Sequence, residues 1–193
     1  MEALIIIAIV VAVIVAGLLT VAYFTRKEFF LEREVTINTP KKPIFEYLKY
    51  LKNQDNFSVW SMMDPDMKKE YTGTDGKVGF VYTWESNVKS VGAGEQEIKR
   101  INEGQSIEYE LRFKKPMKSK AISKIIIKPL SDDHTNVRWN FSTRMKIPFN
   151  LMIYFMGKEM GDQLQTGLVN LKSIIEKEQS QAGDIKTKIR SVA

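Results

Sequence analysis

From Ala3 to Phe24 the chain reads ALIIIAIVVAVIVAGLLTVAYF, without a charge or a proline. At about 1.5 Å of rise per residue, a helix over this run is roughly 30 Å long, which matches a bilayer's hydrocarbon core. In lipid every backbone N–H and C=O needs an internal partner, so a lone apolar segment of this length must be helical. Tyr23 and Phe24 stand where an aromatic belt would, and Arg26 and Lys27 follow at once. A cleaved leader would open on basic residues and carry a shorter apolar stretch. A core helix of a soluble protein would show a polar stripe. Residues 1–25 are therefore expected to form a single-pass membrane anchor, in contact with lipid over residues 3–24. The basic flank puts the following domain on the cytoplasmic side.

Of the 193 residues, those left after the anchor make one ordinary domain, expected over residues 26–178. Residues 179–193 read as a polar, disordered tail, whose Lys186, Lys188 and Arg190 add weak attraction to headgroups. The chain has no cysteine, which excludes disulfides, thiol catalysis and thiolate-held metals. Its only histidine is His134, so no metal site and no cofactor is expected. The net charge of +6 reads first as a solvated basic surface, and on a tethered domain it also favours contact with anionic headgroups. No nucleic-acid motif accompanies that charge, and the basic residues are interspersed, so no nucleic-acid partner is expected. Nothing in the chain speaks to its oligomeric state.

Past the anchor, Phe29–Ile37 alternates as a strand does. Asn38-Thr39-Pro40 ends it and offers a helix cap, and Ile44, Phe45, Leu48 and Leu51 recur at helical spacing. A short helix or turn is expected over Asn53–Trp60. Strands follow over 67–72, 78–85, 92–101, 106–113, 121–130 and 135–146, parted by short turns, which predicts an antiparallel meander. After Pro148, a long amphipathic helix is expected from Phe149 to Glu178.

Strand parity tells the faces apart. Ile107, Tyr109, Leu111 and Phe113 alternate with Glu108, Glu110 and Arg112, and Val137, Trp139 and Phe141 with Arg138, Asn140 and Ser142. One face is dry and one is charged, and the element long enough to cover the dry face is the final helix.

One strand, two helices, six strands and a long C-terminal helix form the helix-grip order. With VTINTPKKPIFEYL, Trp60 before Asp64-Pro65, YTGTDGKVGFVYTW, GAGEQEI and GLVNLKSIIE in that order, the chain resembles the START-like, Bet v 1-like SRPBCC superfamily. Within it, the chain is similar to the polyketide cyclase/dehydrase and lipid transport group. The resemblance covers about residues 29–178. It implies an α+β fold in which a seven-stranded antiparallel sheet wraps a long C-terminal helix, here preceded by one transmembrane helix. It also implies an apolar cavity between sheet and helix. By strand parity the wall comprises Phe80, Tyr82, Trp84, Gln96, Ile98, Tyr109, Leu111, Phe113, Ser123, Ile125, Trp139 and Phe141, faced by Met156, Met160 and Leu164. Flexible, polarizable Met side chains suit a wall that adapts to its ligand. Gly157 and Gly161 either leave room there or let the helix approach the sheet, and Trp60, Met62 and Met63 either gate an entrance or cap the core.

General acid–base chemistry needs a titratable group inside such a pocket. His134 falls in a hairpin turn, and Glu95, Glu97, Glu108 and Glu110 alternate outward among Lys99, Arg112 and Lys124. Gln96, Ser123, Tyr82 and Tyr109 remain as inward polar groups suited to orienting a ligand. The expected function is binding of a hydrophobic small molecule or lipid beside a membrane. A cyclase/dehydrase-type enzyme and a co-chaperone-like interaction module are the alternatives.

Overall fold

A computed structural model describes residues 1–192, with side chains through Gln181. Helix α1 (Glu2–Phe24) is long and apolar enough to cross a membrane, and Ala22 is its buried residue. Three residues lead from it into β1 (Glu28–Ile37), followed by α2 (Lys41–Lys49), a 3-10 turn over Leu51–Asn56 and α3 (Val59–Met63). Six strands come next: β2 (Lys68–Thr72), β3 (Val81–Glu85), β4 (Ala93–Asn102), β5 (Ser106–Lys115), β6 (Ser119–Pro129) and β7 (Thr135–Arg144). A 3-10 turn over Phe149–Met152 opens the terminal helix α4 (Ile153–Val192).

The sheet is seven-stranded and antiparallel in the order β1-β7-β6-β5-β4-β3-β2, so the expected meander holds and β1 closes its far edge against β7. Several details depart from the sequence reading. β3 begins at Val81, because the glycine-rich turn that opens at Gly73 continues to Phe80. Pro40 occupies the N-cap position of α2 without a side-chain bond; Thr39 Oγ1 donates to Asn38 O, and Thr135 Oγ1 donates to Thr39 O. The terminal helix runs on past Glu178 to Val192, through residues read as a disordered tail, with no proline to break it. The side chains of Lys186, Lys188 and Arg190 lie outside the described residues.

In β4 the register shifts between Ile98 and Arg100. This bulge leaves both Lys99 and Arg100 outside and returns Ile101 inward, where strict alternation would have exposed it.

The dry face is covered by two layers, not by α4 alone. α4 lies along β1 and touches β7, and latches there: Lys172 Nζ donates to Thr36 O (2.7 Å), and Asn38 N–H donates to Glu176 (2.7 Å). Over the other strands sit α2 and the first 3-10 turn, with Phe45, Leu48, Leu51 and Phe57 all buried. Asp75, in the β2–β3 turn, holds that 3-10 turn by accepting from the N–H groups of Leu51 (2.8 Å) and Lys52 (3.2 Å), donors that a helix start leaves unpaired.

Candidate ligand-binding site

The positions assigned to the wall are buried or half-buried, and they divide into two halves along the strands. Toward the β4–β5 and β6–β7 turns, Ile98, Tyr109, Ile125 and Leu164 are exposed by 0%, 1%, 1% and 1%. Phe57 fills this half, edge-on to Trp139 with ring centroids 5.7 Å apart, and Leu168, Leu171 and Ile175 close it from α4. Phe80, stacked beside Tyr71, belongs to the same sealed region.

Toward the opposite end, where α1 joins β1, the wall opens. Leu111 and Phe113 on β5 and Met160 on α4 pack against the core yet keep partial exposure, and Met156, one turn before Met160, is half-buried as well. Buried aromatics frame them: Trp84 meets Phe113 edge-on at 5.9 Å, and Phe141 meets Phe29 at 6.4 Å. Trp60 packs edge-on against Trp139 at 6.4 Å and so caps the core, while Met62 and Met63 stand exposed beside it. On the outer side of α4, Val59, Phe155, Lys158, Asp162 and Thr166 line a shallow groove of about 450 Å³ between α3 and α4.

Two glycines set how closely the walls approach. The ring of Trp84 lies over Gly94, where a Cβ would come within 2.7 Å of it. A Cβ at Gly161 would run into the guanidinium of Arg33. Gly161 therefore admits a side chain from β1 rather than leaving free space.

Arg33 is a residue that parity should have flagged, since it alternates with Leu31 and Val35 on the inward face of β1. Its charge disguised it as an outer residue. It is half-buried, donates through Nη1 to Glu32 O, and has no ion-pair partner among the described residues.

The inward polar groups are engaged by the protein itself. Gln96 Nε2 donates to Gln54 Oε1 (3.0 Å), and Ser123 Oγ accepts from Trp139 Nε1 (2.8 Å). Tyr82 donates to Asp55 and Tyr109 to Leu48 O, both at 3.4 Å. Burial, reinforced by Asp55, pushes the Tyr82 phenol far above its usual range; burial does the same to Tyr109, with Asp75 adding to it. Burial thus disfavours the charged phenolate at both positions.

On the outer face the carboxylates converge on Arg112, which contacts Glu95 (2.6 Å), Glu97 (2.7 Å) and Glu110 (2.6 Å). Hydrogen bonds from Arg112 hold all three carboxyls below the ordinary range. Glu108 stands opposite Lys124 in register without pairing to it. His134 is exposed at the hairpin tip, where its Nδ1 faces both Asp133 (2.7 Å) and Ser131 (3.1 Å). A nucleophile relay needs the serine and the carboxylate on opposite ring nitrogens, so this trio is a turn contact.

No protein-family model matches the chain, and no curated protein matches it by sequence. Solved structures do. Norcoclaurine synthase from Thalictrum flavum aligns with a TM-score of 0.59 at 9% identity, over 77% of this chain and 93% of that one. The di-domain ARO/CYC StfQ from the steffimycin biosynthetic pathway gives 0.62 at 8% identity, over 79% of this chain and 52% of that one. The Aha1 dimer from Colwellia psychrerythraea gives 0.53 at 14% identity, over 76% and 96%. Such identities speak for architecture and not for activity. The chain shares with these structures the helix-grip, START/Bet v 1-like fold, an antiparallel sheet wrapped around a long C-terminal helix.

Proposed function

We propose that this is a membrane-anchored protein that binds a hydrophobic small molecule or lipid in the open half of the grip, without chemistry of its own. The observation that carries this reading is the split of the inward face: Leu111, Phe113, Met156 and Met160 stay partly uncovered while the far half is sealed. Apolar side chains left uncovered inside a concave wall favour an apolar occupant. The Met pair can adapt its shape to that occupant. Arg33 supplies an unpaired cation on the same inward face, which favours a ligand with an acidic or hydroxylated head. An α1 that spans the bilayer shortens the path of a sparingly soluble ligand and raises its effective concentration.

The cyclase reading asks for a titratable group poised on that wall. Burial disfavours ionisation of the two tyrosines there, and Gln96 and Ser123 are spent on internal bonds. Binding is the better account of this geometry.

The test is native mass spectrometry of the detergent-extracted full chain, with lipid extraction of what co-purifies. Met156→Trp and Met160→Trp fill the open half from α4. The expected result is loss of the bound mass with the thermal midpoint unchanged. A bound mass that survives both substitutions, or its absence from the unaltered chain, overturns the proposal.

A further inference from the structure

The antiparallel register gathers several termini at one end of the domain. Glu28, at the start of β1, lies opposite Arg144, at the end of β7; Ala121, just after the β5–β6 turn, lies opposite Thr143. α1 enters at that end. Asn150 fixes its exit, because Nδ2 donates to the carbonyls of Ala22 (2.7 Å) and Thr25 (3.1 Å). Asn150 and Ile153 are buried, and they hold the start of α4 against the last turn of α1 and the core.

Large apolar residues on either side of these two pins are exposed. Phe149 is 47% exposed, Tyr154 68% and Phe155 82%, with Met152 beside them. Large apolar side chains clustered on a surface mark a contact, and aromatic rings of this kind favour the boundary between headgroups and acyl chains. Charge on the same end agrees. The β5–β6 turn and its flanks carry Lys114, Lys115, Lys118 and Lys120, and Arg26, Lys27 and Lys146 lie where β1 begins and β7 ends. Lys114, Lys115 and Lys120 reach carboxylates. Lys118, Arg26, Lys27 and Lys146 have no ion-pair partner among the described residues. The turns at the opposite end carry Asp75, Glu103, Asp132 and Asp133, with Lys41, Lys42, Lys49 and Lys77 in or near them. Lysines thus cluster without equal acid at the exit of α1, while the opposite end is mixed in charge.

We propose that this end is a second membrane contact: Phe149, Met152, Tyr154 and Phe155 enter the interface of the leaflet from which α1 emerges, and the β5–β6 turn rests on its anionic headgroups. The open half of the grip then faces lipid and not bulk water. This inference rests on the reading of α1 as a membrane span.

Because the chain has no cysteine, single probes can be placed without other changes. Phe155→Cys, Lys118→Cys and Asp132→Cys, each carrying a polarity-sensitive fluorophore, are reconstituted as full chains into phosphatidylcholine vesicles with and without phosphatidylglycerol. Both leaflets contain a lipid spin-labelled at headgroup depth. The expected result is a blue-shifted, quenched label at Phe155 and quenching at Lys118 that strengthens with phosphatidylglycerol, while the label at Asp132 stays bright. A label at Phe155 as aqueous and as bright as the one at Asp132 overturns the proposal. Alkaline extraction of the same vesicles reads the anchor separately. A chain that washes out removes the span itself; a chain that stays while the Phe155 label remains bright removes only the docked face.

Discussion

Asn150 Nδ2 donates to the carbonyl oxygen of Ala22 across 2.7 Å, joining residues 128 positions apart. The bond answers one of the carbonyls that the end of α1 leaves without an intrahelical partner. Asn150→Ala removes this bond and the one to Thr25, and leaves two acceptors unpaired. The expected loss is about 1–3 kcal/mol, read by denaturant unfolding of the detergent-solubilised chain. Amide exchange over residues 25–27 should accelerate in step. An unchanged midpoint would show the contact to be incidental.

The sealed and open halves should respond differently to truncation. Leu168→Ala empties a site with 0% exposure and should cost about 2–5 kcal/mol. Phe113→Ala, at the open end, removes a side chain that is already partly solvated and should cost less, about 1–2 kcal/mol. Binding of an apolar fluorescent probe should fall only in the second variant. Equal stability losses at the two positions would contradict the division.

Ser123 and Trp139 form a buried pair whose partners can be removed singly. Ser123→Ala strands the indole N–H and should cost about 1–3 kcal/mol, while a Ser123→Ala, Trp139→Phe double variant should recover part of that loss beyond the cost of the smaller ring. A double-mutant cycle by urea unfolding measures the coupling, and a value near zero would mean the two residues are only neighbours.

Arg112 predicts a pH dependence. Glu95, Glu97 and Glu110 have folded-state pKa values below their unfolded ones, so their contribution is complete above the unfolded carboxylate range and is lost as pH falls through the lowered values. Arg112→Gln removes the shared cation and leaves three carboxylates facing one another. The variant should be less stable by about 1–2 kcal/mol at neutral pH, and the gap should close under acid as the carboxylates are protonated. A gap that widens on acidification would reverse the assignment.

Two glycines offer a test of sign. Gly161→Ala gains helix propensity, and the Cβ meets only the mobile end of Arg33, so stability should hold or rise by up to about 1 kcal/mol. Gly94→Ala meets the fixed Trp84 ring at 2.7 Å and the Arg112 carbonyl at 2.8 Å, and should destabilise by about 1–3 kcal/mol. Thermal unfolding of the two variants decides whether the neighbour's freedom to move sets the outcome.

Much of this architecture was legible in the chain. The apolar run gave α1, period-two alternation gave the inward and outward faces, and short turns gave the meander. What escaped was set by contacts distant in sequence. A single asparagine after a proline carries no pattern that announces a bond to Ala22. The bulge at Lys99 breaks the alternation that parity relies on. Arg33 was hidden because charge outweighs position when faces are assigned by hydropathy. Above all, which inward residues are sealed depends on where Phe57 and the short helices settle, and no local periodicity records that.

Only Thr25, Arg26 and Lys27 separate α1 from β1, and an extended run of that length reaches about 10 Å. With α1 in a bilayer, the domain cannot swing far from the lipid surface. If the grip holds a ligand as proposed, any donor or acceptor has to arrive within the plane of that same sheet of lipid or come right up to its surface, as at a short-range station and not with a courier.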